Sequence, residues 1–493
     1  MEKRQYGHAG PGTSPVAESA PRRPRRWPRR LLAVALVSGA AAGAVLALPS
    51  PGPQPREQRP PSPAPAPDLR ARALTAVTTG LPAALPQLTE LITRQESVVR
   101  QRPTDAAAWA ALGAAYVARG RQTADAADFP KAERALNSSL RVKSTGNAEA
   151  LGALTALANA RRDFPAAKRY GEQALKLTPK RWSAYPPLID AYNGLGDYTG
   201  ARRTLDKLMA LRTSPAERPA VMARAAAVYR DRGWREDAVA QLTDAAAAAG
   251  TPAERAAWLA GVGQLAWERG DRDDALRHFE AALRLDPAQG TAVTGRARTL
   301  AALGRTDQAL TAYRDALAKQ PDPGTALEFG ELYESLGRTR DAGKQYAAVR
   351  TLAERGASGG VDEELVLGRL EADHGDPDEA VTRLRAEWKR QPGIEVADAL
   401  GWALYRAGDE EEALKYATVA TDKAKGGGVR SASHAFHRGM IERELGHVGP
   451  ARRQLSDALL VNPYFSPVWA PKARRAVAGL GDPEDGTLPE DAL

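Results

Sequence analysis

Apolar residues recur at helical spacing along most of the chain, beginning near residue 105. A glycine follows most of these segments, and an alanine lies five residues beyond it. The glycines are 33 to 38 residues apart, in the pairs Gly196/Ala201, Gly233/Ala238, Gly270/Ala275, Gly304/Ala309, Gly337/Ala342, Gly375/Ala380, Gly408/Ala413 and Gly446/Ala451. Glycine adopts the left-handed conformation that ends a helix at little cost, and a small alanine lets the next helix approach closely. The pattern therefore predicts a series of helix–turn–helix units.

Two further observations support this repeat. An earlier unit has Arg162 where the others have glycine, with Ala167 in register. Prolines follow many of the second apolar segments, which is where helices are expected to end: Pro179, Pro287, Pro321, Pro392 and Pro463. We expect each unit to bury its apolar face only by stacking on its neighbours.

The first unit carries a recognisable family signature. Trp109, Leu112, Gly113 and Tyr116 resemble the first-helix motif of tetratricopeptide repeats. The second-helix pattern of the same family is matched by Gly270, Ala275, Phe279, Ala282 and Pro287. The general layout resembles membrane-anchored tetratricopeptide proteins of high-GC bacteria. The resemblance implies an all-α, right-handed α-solenoid of about ten units over residues 70–480, with a capping helix within residues 464–480.

The N-terminal part of the chain is organised differently. Residues 1–30 are a basic tail, expected to be disordered, and residues 31–48 form an uncharged apolar run of 18 residues. Such a run makes a helix of about 27 Å, close to the thickness of a bilayer core. It is interpreted as a transmembrane signal anchor, with a cleaved signal peptide as the alternative. Residues 49–69, with nine prolines, are a spacer, and residues 481–493, with five acids, are a disordered tail.

The distribution of charge along the chain indicates how the chain is oriented across a membrane and which partners are excluded. The formal net charge is +9, of which +6 lies in residues 1–30, so the rest of the chain has no basic stripe. We therefore expect no nucleic-acid partner. Cations immediately before the apolar run favour a single-pass protein of the cell membrane, with its repeats on the extracytoplasmic side. A secreted protein is the alternative.

The motifs that resemble catalytic or metal-binding sites lack the context that such sites need. The chain has no cysteine. Residues 356–360 match the G-x-S-x-G pattern of hydrolases, but they lie between helical units rather than after a strand, so they are interpreted as a flexible loop. His434 and His437 share a predicted helix face, yet a zinc site needs three or four ligands. We predict no enzymatic activity, no catalytic or metal-binding residue, no cofactor and no small-molecule substrate.

The resemblance implies a concave groove that is lined by first helices and holds a partner peptide or helix. Positions that would face this groove include aromatic, arginine and methionine residues, which suit a peptide-binding hot spot. They are Trp267, Arg298, Arg369, Trp402, Tyr405, Phe436 and Met440. The alternative is that the aromatic residues only fill the seams between units. The expected function is a protein–protein interaction scaffold; a non-catalytic subunit of an enzyme complex is a further alternative.

Overall fold

The computed structural model describes residues 75–77, 80–422 and 428–481. The predictions for residues 1–30, 31–48, 49–69 and 482–493 lie outside these ranges. Within the described residues the regular elements are helices, with no strand. No helix among them has the length and apolar character needed to cross a membrane.

The helices follow one another with short connections. In chain order they are α1 (Leu85–Gln101), α2 (Ala106–Thr123), α3 (Asp128–Val142), α4 (Ala148–Ala160), α5 (Phe164–Leu177), α6 (Tyr185–Gly194), α7 (Tyr198–Met209), α8 (Arg218–Asp231), α9 (Arg235–Ala247), α10 (Pro252–Glu268) and α11 (Arg272–Leu285). They continue with α12 (Gly290–Ala302), α13 (Thr306–Lys319), α14 (Pro323–Ser335), α15 (Thr339–Ser358), α16 (Glu364–His374), α17 (Pro377–Arg390), α18 (Ile394–Ala407), α19 (Glu410–Thr421), α20 (Ala432–Glu444), α21 (Val448–Val461) and α22 (Trp469–Gly479). A short 3₁₀-helix, Trp182–Ala184, precedes α6.

Helices α2 to α21 form ten antiparallel pairs, which confirms the predicted number of units. The pairs run from α2/α3, here pair 1, to α20/α21, here pair 10. Helix α1 precedes the first pair, and α22 covers the end of the last pair at the place predicted for a capping helix. Buried alanines at the predicted small positions, such as Ala167, Ala275 and Ala413, let the paired helices pack closely.

The turns within the pairs follow the glycine pattern with three exceptions, one of which is pair 1, where Ala124 takes the left-handed conformation with φ 53°. Seven of the eight predicted turn glycines have a positive φ, as expected for a left-handed helix end. Gly375 does not, because the chain runs in an extended conformation towards Pro377, the first residue of α17. Arg162 takes the left-handed conformation itself, with φ 58°. A side chain in this region is strained, so the position calls for a compensating interaction.

The G-x-S-x-G segment is not a loop as the sequence interpretation had it. Helix α15 extends to Ser358, so Gly356, Ala357 and Ser358 form its last turn. The prediction of a flexible loop here was wrong, because residues preceding the glycines continue the helix and bury Val349 and Ala353.

Contacts between distant pairs show that the solenoid coils tightly. The turn within pair n contacts the loop that follows pair n+5. The Arg161 Nε of pair 2 donates a hydrogen bond over 2.9 Å to the carbonyl of Gly359, which follows pair 7. The Asn462 Nδ2, in the loop that follows pair 10, donates one over 2.8 Å to the Trp267 carbonyl of pair 5. Arg162 donates to the Asp362 carbonyl over 3.0 Å and pairs with the buried Glu363.

These inter-turn contacts, which join residues 195 to 201 positions apart, recur at successive pairs. The superhelix therefore completes a turn within about five to six helix pairs, and its consecutive turns touch. First helices of both turns face each other across the interior, which makes the concave face the wall of a channel rather than an open groove.

Candidate functional site

The larger part of the channel, called here the N-terminal cavity, has a volume of about 1320 Å³. Its wall combines α1, α2 and α4 of the first superhelical turn with α12 and α14 of the second. Fifteen of its lining residues are alanine, and Trp258 is the one aromatic residue among them. Small side chains leave the helix backbones close to the cavity, so the wall suits an occupant that packs closely along a helix.

The second part, called here the C-terminal chamber, has a volume of about 470 Å³. It adjoins the N-terminal cavity, because Gln264, Arg298, Gly324 and Glu328 line both. Four aromatic side chains line the chamber, namely Trp267, Trp402, Phe465 and Trp469. Six carboxylates and four guanidinium groups line it as well, so acids exceed the permanently charged cations.

Most of these charges are paired across neighbouring first helices. Arg298 of α12 makes two hydrogen bonds to Glu328 of α14, of 3.0 and 2.6 Å, at the boundary with the N-terminal cavity. Two more pairs have the same form: Arg230 with Glu268, at 2.8 Å, and Arg369 with Glu395, at 2.7 Å. Because each pair bridges two first helices, it fixes their spacing as well as neutralising charge.

A histidine–carboxylate group lies on α18 and α20. The His437 Nδ1 lies 3.0 Å from both oxygens of Asp398, and the His434 Nε2 lies 3.5 Å from Glu395 and 3.7 Å from Asp398. Burial would lower the pKa of His434, but Asp398 and Glu395 outweigh it and raise that pKa to about 9. Burial would likewise raise the pKa of Asp398, and the two histidines hold it below its usual value instead.

Four of the seven residues predicted for the groove line the chamber: Trp267, Arg298, Arg369 and Trp402. Trp402 stacks on His437 with ring centroids 4.3 Å apart, and its indole N–H donates to Asp373 over 3.0 Å. Its ring is 4% exposed, so only an edge is available to an occupant.

The other three predicted groove residues do not line either cavity. Phe436 is fully buried and contacts Trp402, Phe465 and Trp469 in the seam below the chamber. Tyr405 and Met440 are partly buried against the same core cluster. The structure thus places Phe436 as a seam residue, the alternative considered from the sequence, and separates it from the channel surface.

Sequence reasoning missed the acidic side of the chamber. Glu331 lies six residues before its turn glycine, as Arg298, Arg369, Trp402 and Met440 do before theirs. The register that predicts groove positions therefore selects Glu331 as well, although a carboxylate is not a residue type typical of a peptide-binding hot spot. Asp398 and Glu395 had no comparable signal, because their role depends on histidines of the next pair.

Among residues 75–77, 80–422 and 428–481, no group of three or more side chains has the arrangement needed to hold a metal ion. The paired histidines 434 and 437 instead contact carboxylates. The side chains of this wall offer charge, hydrogen bonding and aromatic contact.

Comparison with known proteins identifies the repeat. The family model described as tetratricopeptide repeat matches residues 261–324 and 365–428, which together are about a quarter of the chain. These segments cover pairs in the middle and C-terminal parts of the solenoid, where the chamber lies. None of the curated proteins compared matches the chain in sequence.

Solved structures of other helical-repeat proteins are similar at low identity. A human IFIT1 dimer with PPP-AAAA is 16% identical, with 71% of this chain and 81% of that chain covered and a TM-score of 0.45. A tetratricopeptide repeat protein from Parabacteroides merdae is 17% identical, covering 54% and 100%, with a TM-score of 0.32. The Cut9–Hcn1 hetero-tetramer of APC/C is 15% identical, covering 84% and 96%, with a TM-score of 0.30.

Proposed function

Since the chain carries tetratricopeptide repeats whose first helices enclose a channel, we propose that it is a non-enzymatic protein-interaction scaffold that holds a partner segment inside that channel. The observation that carries the proposal is the N-terminal cavity, with its volume of about 1320 Å³ and its alanine wall. A space of this size accommodates several residues of an extended peptide or a short helix. Small wall residues let the occupant's backbone lie close to the helices, as happens between paired helices of the solenoid itself.

The closed form of the channel restricts the partner. Inter-turn contacts join the superhelical turns, so a folded domain cannot enter from the side while they hold. The proposal therefore favours an extended or helical segment that enters through an end of the superhelix. We further propose that nucleic acid is not this partner, because Arg230, Arg298 and Arg369 of the chamber each pair with a glutamate and are not free to bind phosphates.

We propose that residues 31–48 tether the scaffold to the cell membrane, with the repeats on the extracytoplasmic side and residues 49–69 as a spacer. Support for the tether comes from the uncharged apolar run and the preceding basic cluster. Secretion after cleavage of this segment is the alternative, and N-terminal sequencing of the mature protein distinguishes the two. A non-catalytic role as a subunit of an enzyme complex is compatible with the same binding surface.

The absence of cysteine from the chain makes a direct topology experiment possible. Ser144 is exposed in the loop after α3, so Ser144→Cys introduces one accessible thiol. Labelling of intact cells by a membrane-impermeant maleimide is expected if the repeats lie outside. Labelling only after lysis would overturn the outside placement.

A matched pair of glycine substitutions tests binding in the channel. Gly152 on α4 lines the N-terminal cavity and Gly343 on α15 is exposed outside it; a Cβ added at either position has nothing within 4 Å. Gly152→Trp should fill the cavity, whereas Gly343→Trp should leave it open. Crosslinked capture from intact cells is expected to retain a partner with the wild type and Gly343→Trp and to lose it with Gly152→Trp. Equal capture by all three proteins would place recognition elsewhere.

A further inference from the structure

The C-terminal chamber has one carboxylate that its own cations do not neutralise. Glu268, Glu328 and Glu395 each pair with an arginine, and Asp398 pairs with histidines. Asp373 accepts the Trp402 indole N–H and lies 3.5 Å from the Arg406 Nε. Glu331 has no such partner: among the described residues, no arginine, lysine or histidine nitrogen lies within ion-pair distance of it.

The interaction that Glu331 does make leaves room for a cation. Its Oε2 accepts a hydrogen bond from the Ser466 hydroxyl over 3.0 Å. Ser466 belongs to the segment between α21 and α22, whereas Glu331 lies on α14, so the bond joins two superhelical turns. A carboxylate has two oxygens and about four acceptor sites, of which this contact uses one. The remaining acceptor capacity lies in the wall of the chamber, which Glu331 lines.

The electrostatic surroundings of Glu331 are those of an incomplete ion pair. Burial raises its pKa most, and the carboxylates of Asp373, Glu328 and Glu334 raise it further, to about 8, although the Ser466 hydroxyl acts in the opposite direction. At neutral pH the empty chamber therefore holds Glu331 largely protonated. A cation placed beside it would favour the ionised form, so binding should release a proton.

Aromatic rings complete the surroundings of this position. Trp267, Trp402, Phe465 and Trp469 line the same chamber as Glu331. Tryptophan rings attract cations, and the small exposed parts of Trp267, Trp402 and Trp469, which are 6, 4 and 9% exposed, can contact a guanidinium group that donates to a carboxylate. Arg298 already lies over the Trp267 ring, with 5.5 Å between the guanidinium carbon and the ring centroid. The chamber wall thus shows the kind of contact that an entering arginine would make.

The chamber wall also holds an unsatisfied polar atom on the opposite side. His434 is 3% exposed, and its Nδ1 has no hydrogen-bond partner within the described part of the chain. Because the Nε2 faces the carboxylates of Glu395 and Asp398, a charged imidazole leaves the Nδ1–H as a donor without an acceptor.

We propose that the C-terminal chamber binds a cationic side chain, arginine or lysine, of the partner segment, with Glu331 as its counter-ion and the tryptophan rings as its walls. The proposal rests on the proposed function, in that the cation belongs to a peptide in the channel. It adds to the proposed function that the bound peptide is basic. A basic residue would lie at the point where the N-terminal cavity meets the chamber, beyond the Arg298–Glu328 pair.

Calorimetric titration of the full chain with short peptides tests the proposal. The probe is an acetylated, amidated pentapeptide with a central arginine between alanine and glycine residues. Its control replaces arginine by citrulline, which has nearly the same shape and no charge. We expect the arginine peptide to bind at least about tenfold more tightly at pH 7, which corresponds to about 1.4 kcal/mol. Titrations in two buffers of different ionisation enthalpy should show that a proton is released.

Two variants locate the effect. Glu331→Gln should abolish both the preference for arginine and the proton release, while Glu354→Gln, an exposed acid on the outer helix α15, should behave as the wild type. Circular dichroism and a thermal melt establish that Glu331→Gln is folded, which is expected because the change keeps the shape of a half-buried side chain and removes its acid. Equal binding of the two peptides, or an unaltered response of Glu331→Gln, would overturn the proposal.

A third probe separates a peptide ligand from a free small molecule. Free arginine amide is expected to bind more weakly than the pentapeptide, since it lacks the flanking backbone. Equal affinity would overturn the peptide as the source of the cation. The two proposals can fail separately. If Gly152→Trp loses a captured partner but the arginine peptide does not bind, the proposed function stands and this inference is wrong. If the arginine peptide binds but no partner is captured, the chamber's preference for arginine stands and the proposed scaffold function is not supported.

Discussion

The two parts of the channel are built from equivalent positions of the same repeat, yet their walls differ. The N-terminal cavity is lined mainly by alanine, whereas tryptophan, phenylalanine and ion pairs line the C-terminal chamber. In the cavity, a Cβ added at Gly152 would have nothing within 4 Å. In the chamber, the rings of Trp402 and Trp469 also belong to the core cluster that holds the last pairs together. The channel-facing side of a repeat can therefore be a surface whose side chains tolerate substitution, or it can be part of the hydrophobic core.

The largest expected effect comes from removing a ring beneath the chamber. Phe436→Ala should lower the free energy of unfolding by about 3–5 kcal/mol, because it leaves a cavity among Trp402, Phe465 and Trp469. Ala156→Gly in the wall of the N-terminal cavity should cost only about 1 kcal/mol, the difference in helix propensity. Urea unfolding measures both. A loss below about 1 kcal/mol for Phe436→Ala would mean that Phe436 is not the seam residue described above.

The next largest effect tests the closure of the superhelix beside the chamber. Asn462 is 2% exposed, donates to the Trp267 carbonyl over 2.8 Å and accepts from the Tyr464 N–H over 2.9 Å. Asn462→Ala removes the inter-turn donor from the Trp267 carbonyl, which keeps the Gly270 N–H, and leaves the Tyr464 N–H without its acceptor, at a cost of about 1–3 kcal/mol. Amide hydrogen exchange should show increased opening of the segment around residue 464. Unchanged exchange there would contradict an inter-turn contact at this position.

A smaller effect is expected from the titration of the chamber. The pKa of Glu331 is raised from 4.5 to about 8, so the folded protein holds this proton more tightly than the unfolded chain. Stability should therefore fall as pH rises from about 4.5 to 8. His434, whose pKa is raised from 6.5 to about 9, acts in the same direction between those values.

Glu331→Gln should remove the first of these two contributions. The unfolding free energy of the variant should depend less steeply on pH below pH 8. Between pH 4.5 and 8 the difference from the wild type should total on the order of 1–2 kcal/mol, since solvent screening reduces the effect of a half-exposed carboxyl. Urea midpoints at successive pH values measure it. Identical pH profiles for the wild type and the variant would show that Glu331 is ionised in the empty chamber.

The smallest effect on stability is expected in the N-terminal cavity. Gly152→Trp should change the unfolding free energy by no more than about 0.5 kcal/mol, because a Cβ at this position has nothing within 4 Å, the ring extends into the cavity, and glycine already weakens a helix. Thermal melts measure the change. Destabilisation as large as that of Phe436→Ala would show that the alanine wall is packed rather than open, and would remove the contrast between the two regions.

Arg162 shows how local and distant constraints combine at one residue. The sequence places it where other pairs have glycine, and the structure keeps it in the left-handed conformation with φ 58°. From the pattern alone, Arg162 is a departure from the glycine that most other pairs have at this turn. The pairing of its guanidinium with Glu363 of a later superhelical turn supplies the reason, and that residue is 201 positions away.

The sequence by itself determined the helices, the number of pairs and the positions of most turns. These features depend on residues close together in the chain: a turn glycine, an alanine five residues later and apolar residues at helical spacing. The tertiary structure alone decided that the superhelix closes on itself, that Phe436 lies in a seam and that Glu331 lines a chamber whose cations pair with other carboxylates. Those outcomes depend on the rotation accumulated over five helix pairs, which no short pattern of residues encodes, and on charges that only the closed channel brings together.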